Sequence, residues 1–304
     1  MIHADRRALN GLATETVRGD VLDPASLDRV FEGADTVYHL AANISLSDTR
    51  KMKMVNAVGT KNVVEACLRN RVRRLVHFSS IHAVAHSPSR GMIDESCSLV
   101  APLDCSNYSR SKAAGEEEVH KGLQSGLDAV IIRPTAMLGP HDYQPSFFGE
   151  MLLSLARGKL RGLVTGGFDW VDVRDVVEGA IRAGDTAPAG AAYLLSGHWA
   201  TLSDVATMVD KITNNGVPRF MCPLWLAGLV APFATSLGRM TKRRPLFTNF
   251  SINTIRTSEH VSHDKATREL GYQPRPLQNS IEDTLMLFKE DGRLETISPR
   301  VATR

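Results

Sequence analysis

Residues 73–80, RRLVHFSS, are followed by NYSRSK at 107–112 and AVIIR at 129–133, and this succession decides the fold. The first stretch reads as a strand over 73–79 that ends on Ser79-Ser80. Tyr108 opens a helical pattern that runs to about Leu123, and 129–133 is a second apolar strand broken by Pro134. Strand, helix and strand in this order predict parallel strands joined by a covering helix.

The pattern extends toward the N-terminus. Residues 36–40 (TVYHL) predict a strand followed by Ala41-Ala42, and 15–19 (ETVRG) a short strand ending at Asp20. Between them Asp23 caps a helix that has Pro24 at its first position, runs to about Phe31 and is ended by Gly33. A helix from about Val55 to Arg69 carries Val63, Val64 and Cys67 on its apolar side. Toward the C-terminus, 146–157 reads as a helix, 168–173 (FDWVDV) as a strand after Gly166-Gly167, then a helix through Ile181 and a strand at 192–195. From about Ser196 the chain is helices and loops rich in Pro, Lys and Arg, as in a lobe that covers a ligand. In an open parallel sheet, ligands bind outside the carboxyl ends of the strands. Three segments meet that description: Asp20-Val21, Leu40-Ala41-Ala42 and Ser79-Ser80.

Tyr108 and Lys112 stand four apart on one helix face. A lysine ammonium near a phenol favours the phenolate and is expected to lower the tyrosine pKa from its ordinary value. With Ser80 donating to the same substrate oxygen, the three side chains suit proton exchange with a carbinol while a hydride moves to a nicotinamide. His82, His86 and His141 fall near the expected mouth and read as rim residues, without metal spacing.

Composition excludes other classes. A net charge of +3 over 304 residues is too small to call for nucleic acid, and Lys242, Arg243 and Arg244 read as a solvated face. Four cysteines (Cys67, Cys97, Cys105, Cys222) show no metal spacing and read as reduced thiols of a cytoplasmic protein. No signal peptide is read in residues 1–12. The most apolar stretch, 220–234 around Trp225, Leu226, Leu229 and Val230, lies between Pro223 and Pro232 and is too short to span a bilayer. It reads as a core or substrate-cavity helix, with a membrane-surface helix as the alternative.

The chain resembles the extended short-chain dehydrogenases/reductases of the NAD-dependent epimerase/dehydratase family. The resemblance rests on GDVLD (19–23), VYHLAA (37–42), VNAVGTKNVVEAC (55–67), HFSSIHAV (77–84), NYSRSK (107–112), IIRPTAMLGP (131–140), WVDVRDV (170–176) and SHDKATRELGYQPRPL (262–277). It implies an α/β, Rossmann-like doubly wound parallel sheet with a smaller C-terminal substrate lobe. The dinucleotide-binding domain would comprise 1–140 plus 166–196, and the lobe 141–165 plus 197–304. The cofactor would be NAD or NADP. The resemblance assigns catalysis to Ser80, Tyr108 and Lys112. It assigns the adenine contact to Asp20 with Val21 beside it, the cofactor-lining strand end to Leu40, Ala41 and Ala42, and the nicotinamide border to Ser79, Pro134 and Thr135. Asn56 would be structural, and Arg174 falls where some sugar-nucleotide members carry a nucleotide-contacting arginine. A homodimer through the helices at 55–69 and 108–123 is expected by the same analogy.

One family feature is missing. No two of the 23 glycines stand three apart, so no form of G-x-G-x-x-G is present. Met1-Ile2-His3 reads as the end of the family's second strand, with the first strand, glycine loop and first helix cut away. The expectation is a chain that folds poorly or binds cofactor weakly, since that loop supplies the main pyrophosphate site. Arg6 or Arg7, beside Asp5, would favour a 2′-phosphate or simply lie on the surface.

Ser-Ser-Ile at 79–81 resembles the 3β-hydroxysteroid dehydrogenase and dihydroflavonol-reductase branch, and the Ile81-His82 that follows Ser80 disfavours the dehydratases. The first functional reading is an oxidoreductase interconverting a secondary alcohol and a ketone on an apolar small molecule. The second is a nucleotide-sugar epimerase, its diphosphate met by Arg157, Lys159, Arg161 and Arg219. The third is a non-catalytic remnant or cofactor-sensing binding protein.

Overall fold

The computed structural model describes residues 7–44, 48–85, 91–101, 105–223, 226 and 260–294. His86, Met1-Ile2-His3, Asp5, Arg6, Lys242-Arg243-Arg244 and nearly all of the apolar stretch after Pro223 lie outside the described residues.

In chain order the elements are α1 (Pro24–Phe31), β1 (Thr36–His39), α2 (Thr49–Lys53), a π-turn (Met54–Val58), α3 (Gly59–Arg69), β2 (Arg74–Phe78), α4 (Asn107–Gln124), β3 (Ala129–Pro134), β4 (Ala136–Leu138), α5 (Phe147–Ala156), β5 (Gly162–Val164), β6 (Gly167–Asp172), α6 (Val173–Thr186), β7 (Ala192–Leu195), β8 (His198–Thr201), α7 (Leu202–Thr213), β9 (Phe220–Cys222), α8 (Asp264–Leu270) and α9 (Leu277–Glu290). The chain divides into two compact units. One is Met1–Thr135 with Asp175–Leu195 and Val261–Gln273, the other Ala136–Arg174 with Ser196–His260 and Pro274–Arg304.

The first unit holds a parallel sheet in the order β1-β2-β3-β7. Its central strands are buried along nearly their whole length, and apart from Arg74, His77 and Arg133 their side chains are apolar. Ala129, Val130, Ile131 and Ile132 are fully buried, and Leu75 joins Leu27, Phe31, Val63, Val64 and Val119 in one cluster. The helix starts follow from their capping residues. Asp23 accepts the Ala25 N–H at 3.1 Å, and Ser106 accepts the Ser109 N–H at 3.0 Å. Arg74 locks the far end of the sheet. Its guanidinium pairs with Asp128 at 2.7 Å and donates to the carbonyls of Ala183, Gly184 and Ala187 near the C-terminus of α6.

The expected strand at 15–19 is not formed. Among the described residues, 13–20 are exposed and pair with no strand, and Val17 keeps 54% of its surface in solvent. An extended segment becomes a strand only by pairing, and among the described residues ETVRG has no strand partner and its one apolar side chain, Val17, stays exposed.

The second unit holds β4-β6-β8, with β4 and β6 parallel and β6 and β8 antiparallel, and the pair β5-β9. Its core is Leu152, Trp170, Val205, Ile281, Leu285 and Phe288 with their neighbours. The 168–173 strand therefore pairs here, outside the four-stranded sheet, and 261–273 belongs with the first unit. Gly197 is required by a close approach, since a Cβ there would meet the Trp170 carbonyl oxygen at 2.0 Å. Among the described residues no helix is long and apolar enough to cross a membrane, and no group of His, Cys, Asp and Glu could hold a metal ion.

Candidate active site

The carboxyl ends of β1, β2 and β3, all within the first unit, carry the sequence-predicted residues. After β2, Ser80 is the N-cap of a short 3-10 turn (Ile81–Ala83), and its hydroxyl accepts the His82 N–H at 3.2 Å. Tyr108 sits in the first turn of α4, where the Ser80 side chain acts on its phenol. Lys112, one turn further on, is 7% exposed. The structure thus brings Ser80, Tyr108 and Lys112 to one strand end.

The electrostatics differ from the expectation that Lys112 lowers the Tyr108 pKa. Burial pushes the Tyr108 phenol above its ordinary value, and the Ser80 hydrogen bond works against that rise. Lys112 Nζ donates instead to the Phe78 carbonyl at 2.9 Å. Burial pulls the Lys112 pKa down to about 8, with Glu116 holding it up. Glu116 is itself buried in a two-pronged ion pair with Arg133 at 2.7 Å.

Asn56 lies in the π-turn, a distortion that often marks functional positions. Its side chain clamps the chain after β1, accepting from Asn43 N–H at 2.7 Å and donating to Asn43 O at 2.9 Å. It also donates to Ser111 Oγ at 3.0 Å, which ties this clamp to the helix of Tyr108 and Lys112. Leu40 and Ala41 are exposed and Ala42 half-buried, so the segment lines an accessible strand end.

Ser79 is 4% exposed, and its Oγ is buried without a hydrogen-bond partner. Such an orphaned hydroxyl beside Ser80 fits a ligand's polar group, here the carboxamide of a nicotinamide. Pro134 ends β3, and Thr135, half-buried, donates its N–H to the Leu195 carbonyl. Asp20 is exposed, and its carboxylate accepts the Leu22 N–H at 2.9 Å, the turn role common for aspartate. Val21 is half-buried against Gly59, and its carbonyl accepts from Asn62 Nδ2 at 2.9 Å.

Two neighbours were not singled out from sequence. His39 and His77 face each other across β1 and β2, ring centroids 5.4 Å apart. His39 Nε2 contacts Thr60 Oγ1 at 3.1 Å, and burial lowers its pKa to about 4 with Lys112 adding to the effect. His77 is lowered well below its ordinary value, again chiefly by burial, and neither ring nitrogen has a hydrogen-bond partner. The sequence carried only a histidine near the C-terminal end of each strand pattern, and the register that pairs them comes from the structure. Arg174, in the second unit, is engaged by Asp172 and Asp283, each at 2.7 Å.

The sequence profile of the NAD dependent epimerase/dehydratase family matches residues 2–195. Sterol demethylase protein B of Methylococcus capsulatus is 33% identical over 295 residues, covering 96% of this chain and 90% of that protein. A putative dihydroflavonol 4-reductase of Synechocystis is 27% identical over 294 residues, covering 95% of this chain and 85% of that protein. The crystal structure of gox2253 superposes with a TM-score of 0.83 at 29% identity, over 96% of this chain and 89% of that one. With an α/β Rossmann-like fold and a profile match over nearly two-thirds of its length, the chain belongs to the NAD dependent epimerase/dehydratase family of enzymes.

Proposed function

We propose that this protein is an NAD(P)-dependent oxidoreductase that interconverts a secondary alcohol and a ketone at Ser80, Tyr108 and Lys112. One observation carries the reading: Ser80, just after β2, and Tyr108, with Lys112 one turn along the same helix, come together at one strand end, where the Ser80 side chain acts on the Tyr108 phenol. When bound, the nicotinamide supplies the acceptor or donor of the hydride.

The chain's own residues handle the proton. In reduction, the buried Tyr108 phenol, held protonated at neutral pH, donates its proton to the substrate oxygen as hydride reaches the carbonyl carbon. In oxidation the carbinol proton passes to Tyr108 as hydride leaves the same carbon. Ser80 Oγ donates to the substrate oxygen and fixes its position. Lys112, an ammonium below about pH 8, donates to the Phe78 carbonyl and holds a positive charge at the strand end beside the site. Ser79, Pro134 and Thr135 would border the nicotinamide, Leu40, Ala41 and Ala42 would line the cofactor along the strand end, and Asp20 with Val21 would meet the adenine.

An apolar, sterol-like carbinol is the substrate class best supported, by the similarity to Sterol demethylase protein B. The epimerase reading is less well supported by the basic groups of the second unit. Arg157 donates to the Arg293 carbonyl at 2.6 Å, and Arg174 is bound to two carboxylates.

The test supplies a 3β-hydroxysteroid and, separately, UDP-glucose, each with NAD⁺ and NADP⁺. Net formation of reduced cofactor from the steroid supports the reading. An epimerised sugar with no net reduction of cofactor would replace it with the epimerase reading. No turnover of either would favour a cofactor-sensing binding protein.

A further inference from the structure

The chain contains two Asn-Gly pairs, Asn10-Gly11 and Asn215-Gly216. An asparagine followed by glycine is open to cyclisation, because glycine sets no Cβ beside the attacking nitrogen. The second pair lies in the turn after α7. Asn214 ends that helix in the left-handed region at φ 54°, Gly216 has φ 84°, and residues 214–216 are exposed. Two hydrogen bonds hold the pair. Asn215 Nδ2 donates to the carbonyl of Ala156, the last residue of α5, at 2.5 Å. The Gly216 N–H donates to Asp210 Oδ1 at 2.8 Å. Ala156 of α5 and Val209 of α7 belong to one core cluster, so the Asn215 bond joins two helices that share a core. Asn10-Gly11 is also exposed, with Gly11 at φ 82°, and lies in the first unit, away from this junction in sequence.

We propose that Asn215 is a site of spontaneous deamidation, gated by the Asp210 carboxylate, and that its modification releases α7 from the end of α5. In the reaction the Gly216 nitrogen loses its proton and attacks Asn215 Cγ. The N–Cγ bond forms, the Cγ–Nδ2 bond breaks, and the side-chain nitrogen leaves as ammonia. Water then opens the succinimide at either carbonyl and leaves aspartate or isoaspartate at position 215. No oxidant or reductant is consumed. The closed turn opposes the attack twice. Its Gly216 N–H is given to a carboxylate, whose negative charge disfavours the deprotonated nitrogen, and the Asn215 amide is held on Ala156. The reaction therefore runs through local opening of an exposed turn, which costs less than global unfolding. The product cannot restore the contact. A carboxylate has no N–H to give the Ala156 carbonyl, and it sets a negative charge at the C-terminal end of α5, where the helix dipole is itself negative.

The experiment incubates the full chain in mildly alkaline buffer and follows aspartate and isoaspartate at both Asn-Gly pairs by peptide mapping, in wild type, D210A and D210N. The expected result is slow first-order conversion of Asn215 in wild type. In D210A the Asn215 rate should rise by about tenfold, the weight of one hydrogen bond to a charged acceptor, with the Asn10 rate unchanged. D210N keeps an acceptor oxygen without the charge and should fall between the two. Equal Asn215 rates in wild type and D210A overturn the gate, and an Asn215 that stays intact in D210A while Asn10 converts overturns the site. A rise at both pairs shows general loosening of D210A; the D210N rate at Asn215, taken relative to Asn10, then decides, faster than wild type upholding the gate and equal overturning it. N215D made directly should melt below wild type, and an unchanged midpoint overturns the release of α7.

Discussion

Gly115 of α4 lies so close to the Asn56 carbonyl that a Cβ built on it would stand 2.6 Å from that oxygen. The contact sets how closely the helix of Tyr108 and Lys112 approaches the π-turn, and Asn56 and Ser111 are bonded across the same gap. Gly115→Ala should gain up to about 1 kcal/mol in helix propensity. The clash is with backbone, which cannot rotate away, and overpacking of this kind costs roughly 1–3 kcal/mol. The net expectation is a lower thermal midpoint together with reduced turnover, checked by a melting curve and an assay on the same preparation. An unchanged midpoint would show that α4 is free to shift.

The histidine pair under the site predicts an acid dependence. Folded His39 has its pKa lowered to about 4, against 6.5 ordinarily. The unfolded chain therefore takes up this proton first, and stability is lost as pH falls from about 6.5 toward 4. For His39 the whole interval is worth about 3 kcal/mol. His77 acts in the same direction. Urea midpoints measured across this range should fall more steeply for wild type than for His39→Gln, and parallel curves would contradict the assignment.

Glu116 joins stability to the site. Removing one partner of a buried ion pair costs about 3–5 kcal/mol, whereas replacing both by apolar side chains is often neutral. Glu116→Leu alone should therefore be severely destabilising, and Glu116→Leu with Arg133→Met should recover most of the loss in urea unfolding. Glu116→Gln also removes the charge that holds the Lys112 pKa up. The lysine then titrates below about 8, and the alkaline limb of the pH–rate profile for oxidation should move to lower pH.

The parallel sheet was legible because β2 and β3 carry the apolar runs Leu75-Val76 and Ala129–Ile132, broken by Arg74, His77 and Arg133. Asp23-Pro24 marked the start of α1, which runs Pro24–Phe31 as read. The convergence of Ser80, Tyr108 and Lys112 was legible from spacing, since one helical turn and one strand end fix their places. What spacing does not carry is desolvation. The depth of burial decides that the Tyr108 pKa rises and the Lys112 pKa falls. Nor does local pattern reveal pairing partners: ETVRG has strand composition and, among the described residues, no partner strand, and FDWVDV is a strand that pairs with β4 and β8. His39 and His77 were hidden for the same reason, because only the register of β1 on β2 makes them neighbours.

The central claim is that Tyr108 exchanges the proton in hydride transfer, and Tyr108→Phe tests it most directly. The variant keeps the ring against His82 and loses only the phenol hydroxyl. Measured beside wild type by formation of reduced cofactor from a 3β-hydroxysteroid, kcat should fall by about 10²–10⁴-fold, the range for loss of a general acid–base group, while the melting temperature stays within a few degrees. A Tyr108→Phe protein that turns over within a few-fold of wild type would contradict the account.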